Sequence, residues 1–209
     1  MKKLTSHWDS IYSTQQTTTC SWWQEYPQPS IELIRELRLD KSSPIIDVGG
    51  GDSKLVDCLL GDGYTDITVL DISSSALDSA RHRLGERSEL VKWIISDITT
   101  FHPSSRYMLW HDRAAFHFLI DDDKISRYRT IAEDAISEDG YLILGTFSTQ
   151  GPKSCSGLPV HRYNPETLHR CFRDSFSERK SIEVDHLTPS GKIQNFLFSC
   201  FQKNRLSRG

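Results

Sequence analysis

Nowhere in the 209-residue chain do about eighteen apolar residues run together, so no membrane-spanning helix is expected. Lys2 and Lys3 give a basic start, but the following TSHWDSIYS has no apolar stretch of the length a secretion signal needs. The five cysteines, Cys20, Cys58, Cys155, Cys171 and Cys200, form an odd set without a C-x-x-C pair, which argues against a disulfide framework and a zinc ribbon. Reduced thiols are the expectation: Cys58, Cys171 and Cys200 as small buried hydrophobes, Cys155 in an exposed loop. There is no long lysine/arginine block and the formal net charge is −3, which leaves little electrostatic footprint for nucleic acid. Internal repeats and low-complexity tracts are also missing, although Ser13–Ser21 (STQQTTTCS) is polar enough for a flexible loop. These absences together predict a soluble, cytoplasmic protein with no nucleic-acid or membrane partner, and the length suits one domain with a full core.

What the chain does have is a glycine turn between strand-like segments. In PIIDVGGGDS, Ile45 and Ile46 supply a β-branched strand, and Gly49, Gly50 and Gly51 let the backbone turn sharply beside a ligand. ITVLD ends at Asp71, twenty residues after Gly51, where a carboxylate at a strand end accepts hydrogen bonds from ribose hydroxyls. A dinucleotide fingerprint asks for a third glycine three places after the second; Lys54 stands there. Asp47, just ahead of the glycines, repels phosphates and suits an amine. The expected ligand is therefore a nucleoside cofactor without a pyrophosphate and with an amino-acid tail.

The remaining pattern alternates. Helices are predicted over Ser30–Leu39, Ser53–Leu60, Ser74–Leu84, Asp123–Ala135 and Pro165–Phe172, and strands over Pro44–Val48, Ile67–Asp71, Leu90–Ile95, Tyr107–Trp110 and Tyr141–Phe147, with Gly140 as a helix-to-strand turn. SIEVDHL, the turn TPSG and KIQNFLFSCF read as an antiparallel hairpin. The fold class is α/β: a doubly wound, mostly parallel seven-stranded sheet ending in an antiparallel hairpin. The division expected is an N-terminal helical, aromatic lid over residues 1–40, the main domain over 41–203 and a tail over 204–209.

These motifs resemble those of the class I, S-adenosylmethionine-dependent methyltransferases, over roughly Pro44–Phe147. The resemblance implies S-adenosylmethionine as cofactor. Asp47, Gly49, Gly50 and Gly51 would line its methionine and ribose, Asp71 would bind the ribose hydroxyls, Ile72 would pack on the adenine, and Asp97 in VKWIISDI, with Ile98, would sit at the adenine amino group. It further implies methyl transfer to a small-molecule acceptor by in-line displacement. Asp112-Arg113 and the N-terminal tryptophans are loosely similar to the thiopurine and halide or thiol branch, although Ala114 stands where that branch commonly has glycine. Two alternatives remain open: Trp8-Asp9-x-x-Tyr12 resembles the start of some lysine methyltransferases, which would make the acceptor a protein, and the chain could be a cofactor-binding partner subunit without activity.

Function in such sheets sits outside the carboxyl ends of the strands. If the fourth strand ends near Trp110, the candidate catalytic residues are His111 as a base, Arg113 as the holder of an anionic group and Asp112 as the residue that orients either, with His117 following on a short helical turn as an acceptor contact. The plainer alternative has Asp112 capping the turn, Arg113 paired with it and His117 as a satisfied core histidine. No ligand spacing supports a metal at His111 and His117. Trp8, Tyr12, Trp22 and Trp23 are expected to wall the acceptor site, or else to cover a sheet edge. The long Ser148–Pro165 connection brings Arg162 and Tyr163 as acceptor contacts, with Arg162 capping sheet carbonyls as the alternative.

Overall fold

The computed structural model describes residues 2–205; residues 206–209 of the expected tail lie outside the described residues. Seven strands, β1 (Ile45–Val48), β2 (Ile67–Asp71), β3 (Val91–Ile95), β4 (Tyr107–Arg113), β5 (Ile136–Phe147), β8 (Phe176–Leu187) and β9 (Ile193–Lys203), form one sheet in the order β3-β2-β1-β4-β5-β9-β8. The first five are parallel, β9 pairs antiparallel with β5, and β8 pairs antiparallel with β9. The α/β sheet with its terminal hairpin is thus as the sequence predicts. The order turns back at β1/β4, and ligands in open α/β sheets bind at such a switch point.

All four residues of β1 and all five of β2 are buried, as expected for parallel strands covered on both faces. One face packs Ile45, Leu109 and Ile143 against Ile31 and Ile34 of α2 (Gln28–Glu36) and Leu55, Val56 and Leu59 of α3 (Leu55–Gly61). The other packs Ile46, Trp110, Leu142 and Leu144 against Tyr128 and Ala132 of α5 (Asp122–Ala135) and Phe172 of α6 (Pro165–Phe172). Each such fully buried aliphatic side chain stabilises the fold by about 1.5–3 kcal/mol. The edge strand β8 alternates in exposure and carries Glu178, Arg179 and Lys180, which discourages pairing with another chain. Among the described residues no helix is long and apolar enough to cross a membrane.

The N-terminal segment is a helix, α1 (Lys2–Thr14), followed by a single 3-10 turn at Thr17–Thr19 inside the stretch expected to be a flexible loop. Asp9 fastens it to the start of α4 (Ser74–Leu84): its Oδ1 accepts from Ser73 Oγ at 2.7 Å and from the Ser75 N–H at 3.3 Å. A carboxylate there complements the positive end of α4, whose own N-cap is Ser73.

Beyond shifts of up to about three residues at helix ends, the structure departs from expectation in three places. β4 runs to Arg113 instead of ending near Trp110, because β1 and β5 still offer partners there: Val48 lies beside Asp112 and Gly145 beside Arg113. β5 begins at Ile136, and Gly140 lies inside it, not at a helix-to-strand turn; a Cβ on Gly140 would stand 2.8 Å from Ile136 Cγ2 and 3.1 Å from the Met108 carbonyl oxygen, so close packing selects the glycine. The Ser148–Pro165 connection contains a small hairpin, β6 (Ser154–Cys155) with β7 (Leu158–Pro159). Cys155 of that hairpin joins the buried core and is only 7% exposed, which corrects the expected open loop.

Candidate functional site

A cleft opens at the carboxyl ends of β1, β2 and β4, beneath α1. On its β1–β2 side, the N–H groups of Gly49 and Gly50 both donate to the Leu70 carbonyl, at 2.7 and 3.2 Å, which draws the glycine turn against the end of β2. Gly49 and Gly51 have φ of +66° and +48°, and a Cβ would stand 2.5 Å from Ala115 Cβ at the first and 2.8 Å from the Tyr12 hydroxyl at the second. Only glycine meets both demands. Asp71 closes β2 with Oδ1 accepting the Ser73 N–H at 2.8 Å. Burial, with a smaller contribution from Asp47, raises its carboxyl to about 7. Asp97 Oδ1 accepts from the N–H and hydroxyl of Thr99 at 2.9 and 2.7 Å. Ile72, Ile98 and Leu119 add apolar lining.

On the β4 side, His111 is 2% exposed and engaged at both nitrogens, Nδ1 with Asp47 Oδ1 at 2.7 Å and Nε2 with Ser30 Oγ at 2.8 Å. The Ser30 hydroxyl can either donate to or accept from Nε2. Asp112 is fully buried: Oδ1 takes the N–H groups of Ala115 and Phe116 at 3.0 and 3.1 Å, and Oδ2 takes the Tyr128 hydroxyl at 2.8 Å. Burial raises it to about 6. Asp112 therefore holds the turn after β4, in which Ala114 adopts φ of +67°. Arg113 does not pair with Asp112. Its Nη1 donates to the Trp22 carbonyl at 2.9 Å, its guanidinium lies 4.9 Å from the Phe196 ring centre, and Nε and Nη2 are sealed from solvent without a partner. His117 accepts the Phe147 N–H on Nδ1 at 3.2 Å; burial, reinforced by Arg113, lowers it to about 3, so the ring is neutral and its proton is on Nε2.

Aromatic side chains roof the cleft. Trp8 meets Phe118 at 5.1 Å and Trp22 at 5.9 Å, both edge-to-face, and Tyr12 meets Trp22 at 6.1 Å. The structure thus gathers Trp8, Tyr12, Trp22, Trp23, Asp47, Gly49, Gly50, Asp71, Ile72, Asp97, Ile98, His111 and Arg113 on one cleft, with Gly51 against Tyr12 and Asp71. Asp112, His117, Arg162 and Tyr163 do not line it. Arg162 Nη1 donates to the carbonyls of Thr149 and Gly151 at 2.7 and 3.2 Å, and Tyr163 stacks between Phe116 and His161. Sequence reasoning missed Leu4, Phe118, Leu119 and Cys155 on the cleft and Ser30 beneath it. Phe118 and Leu119 were within reach, because they continue the apolar turn after β4; Ser30 and Cys155 arrive from distant segments and carry no local signal.

A protein that converts a disulfide bond into a thioacetal group during echinomycin biosynthesis superposes with a TM-score of 0.75 over 96% of this chain and 93% of its own, at 18% identity. An S-adenosylmethionine-dependent methyltransferase from Anabaena variabilis gives 0.74 over 97% and 94%, at 14% identity. The fold is that of the class I methyltransferases. Another member of this class, the 1,6-didemethyltoxoflavin-N1-methyltransferase of Burkholderia thailandensis, solved with its substrate and S-adenosylhomocysteine, gives 0.70 over 98% and 86%, at 16% identity. None of these three marks out the thiopurine or thiol branch. No family model matches the chain. Among curated proteins, the eEF1A lysine and N-terminal methyltransferase of Mus musculus is 22% identical over 121 residues, 56% of this chain, and the chain spans 17% of that protein's length.

The β1–β2 half fits the methyltransferase cofactor. Asp47 offers a carboxylate for an α-amino group, the glycine turn leaves space that any Cβ would fill, and Asp71 brings a buried carboxylate to a strand end beside Gly51. Ile72, Ile98 and Asp97 line the same cleft, two apolar side chains beside a carboxylate.

Proposed function

We propose that this protein transfers a methyl group from S-adenosylmethionine to a small-molecule acceptor. The observation that carries the reading is the convergence of Asp47, the Gly49–Gly51 turn, Asp71 and the aromatic roof on one cleft at the switch point. The cofactor supplies a methyl group already activated by the sulfonium charge, which an in-line nucleophile takes up. The chain's own task is then to hold, align and desolvate. Asp47, Asp71 and Asp97 fix the polar ends of the cofactor, and Ile72 and Ile98 its flat face. Trp8, Tyr12, Trp22 and Trp23 exclude water and wall the acceptor. His111 receives a proton only by sharing it along the Asp47–His111–Ser30 chain, so acceptors that arrive as thiolates or neutral amines need it least. Asp112 supports the β4 turn and positions Arg113 on the acceptor side.

A protein acceptor is the second reading, favoured by the match to the murine lysine and N-terminal methyltransferase. Thermal unfolding with S-adenosylmethionine, S-adenosylhomocysteine, NADH and NADPH in separate samples tests the cofactor. A ligand at a hundred times its dissociation constant adds about 2.7 kcal/mol, a rise of several degrees for a chain of this size. The rise is expected with the first two alone; a rise confined to the nicotinamide cofactors would overturn the proposal. Methyl transfer to a peptide but to no small acceptor would move the assignment to the second reading.

A further inference from the structure

The helix above the cleft is held more loosely than the helices around the sheet. α2 buries Pro29, Ser30, Ile31, Leu33 and Ile34, whereas every side chain from Lys3 to Thr14 of α1 stays half-buried or exposed. An element that buries so little opens locally at a fraction of the cost of unfolding the core. Its far end has the character of a hinge. Between Thr14 and the buried Cys20 the chain is polar, exposed at every residue but the half-buried Thr17, and regular only over the single turn Thr17–Thr19.

Beneath α1 lie groups with little access to solvent. Asp47 and Asp71 are 2% and 7% exposed, and Gly50 and Gly51 are buried. Tyr12 of α1 covers the glycine turn: a Cβ on Gly51 would stand 2.8 Å from the Tyr12 hydroxyl and 3.2 Å from Asp71 Oδ2. What fastens the middle of α1 is Asp9, whose Oδ1 accepts the Ser73 hydroxyl at 2.7 Å and the Ser75 N–H at 3.3 Å. Ser73 also donates its N–H to Asp71 Oδ1 at 2.8 Å and accepts the Ala76 N–H on Oγ at 3.2 Å. One serine thus ties the helix above the cleft to the strand-end carboxylate inside it.

From this arrangement we propose that α1 is a gate through which the cofactor enters and leaves, that Asp9 is its latch, and that breaking the Asp9–Ser73 contact limits the rate of cofactor release. Opening turns α1 about residues 15–19 and lifts Trp8 and Tyr12 off the cleft. The other half of the roof stays behind. On the body side of the hinge the Trp22 carbonyl accepts from Arg113 Nη1 at 2.9 Å and the Ser21 carbonyl from His186 Nε2 at 2.8 Å, so Trp22 remains seated while Trp8 parts from it and from Phe118. What passes the gate rests on the methyltransferase reading; the latch itself does not.

Two measurements test the gate: amide hydrogen exchange on the ligand-free protein, and stopped-flow tryptophan fluorescence of S-adenosylhomocysteine release, which Trp8, Trp22 and Trp23 report from the cleft. The hydrogen-bonded amides of α1 are expected to exchange about a hundredfold or more faster than those of β1 and β4. Asp9→Ala should speed α1 exchange about tenfold further, leave β1 and β4 at the parent rate, and raise the release rate by about the same factor. Asp9→Asn, whose side-chain oxygen still accepts from Ser73 and Ser75, should return most of both effects. A parent-like release rate in Asp9→Ala, or α1 amides as protected as those of the sheet, would overturn the proposal. So would exchange accelerated equally throughout the molecule, the mark of a general loss of stability. A protein whose α1 is freed by Asp9→Ala but which binds no S-adenosylhomocysteine would keep the latch and overturn the methyltransferase reading.

Discussion

The two sides of the cleft solve opposite problems. On the β1–β2 side polar groups are placed by backbone demands and already find partners: Asp71 takes the Ser73 N–H, Asp97 takes Thr99, and Asp47 is bridged through His111 to Ser30. On the β4 side Arg113 keeps buried N–H groups without acceptors, as does His117 behind the cleft. In the proposed reading the first side takes the cofactor, and its carboxylates suit a cation. The second carries Arg113 and is lined by rings.

The sharpest way to break this contrast is at Asp112, which lies on the β4 side behind the cleft without lining it. Asp112→Ala removes the acceptor of the Ala115 and Phe116 N–H groups and of the Tyr128 hydroxyl in one step. Leaving such buried donors unsatisfied costs about 1–3 kcal/mol each, less what the loss of a buried carboxyl returns, so a net destabilisation of about 3 kcal/mol is expected by denaturant titration. Asp112→Asn should lose less. Because Asp112 does not line the cleft, S-adenosylhomocysteine affinity in the still-folded variant should be near that of the parent; a drop of about a hundredfold with unchanged stability would instead place it in the binding machinery.

A smaller effect separates the sides by pH. Burial raises the Asp71 carboxyl to about 7, with Asp47 and the Tyr12 phenol facing it. A carboxyl whose folded value lies above its unfolded value of about 4 favours the folded state when protonated. That contribution is whole below about pH 4 and is lost as the pH rises through about 7. Asp112, raised to about 6, acts in the same direction. The buried neutral histidines oppose this, because His117, lowered to about 3, and His186, lowered by burial, lose stability as the unfolded chain takes up their protons below about pH 6.5. The ligand-free protein is therefore expected to melt only slightly higher at pH 5.5 than at pH 8. Cofactor binding runs the other way, because ribose hydroxyls donate best to an ionised carboxylate, so S-adenosylhomocysteine affinity should fall about tenfold from pH 8 to pH 6. Asp71→Asn should flatten that dependence; an equally steep profile in the variant would remove Asp71 from the ribose site.

The same contrast explains what the sequence disclosed. Residues whose role is set by local backbone were legible: Gly49 and Gly51 by their positive φ, Asp71 by its place at a strand end, and the hairpin by the turn between β8 and β9. The extent of β4 was not, since only pairing with β1 and β5 carries it on to Arg113. Nor was the engagement of His111, because Ser30 and Asp47 reach it from 81 and 64 residues away. The tryptophans were expected as a lid, but what fastens them was not legible. Their position depends on Asp9 fastening α1 to Ser73, a contact across 64 residues.

The smallest expected effect concerns Ala114, the link between the sides. It holds φ of +67°, a conformation that side-chain-bearing residues adopt at a cost of roughly 1–2 kcal/mol, while its N–H is tied to the Gly145 carbonyl at 2.8 Å. Ala114→Gly removes that strain but adds freedom to the unfolded chain, which returns about 0.4–1 kcal/mol. A net stabilisation of about 0.5 kcal/mol is expected by denaturant midpoint, at constant slope. Ala114 also lines the cleft, so relaxing it tests whether the strained turn serves binding. If the strained turn serves the cleft, the glycine variant will be more stable and will bind S-adenosylhomocysteine less tightly. If the affinity stays at the parent value, the strain belongs to the turn alone, and the β4 side is held by Asp112 without help from Ala114.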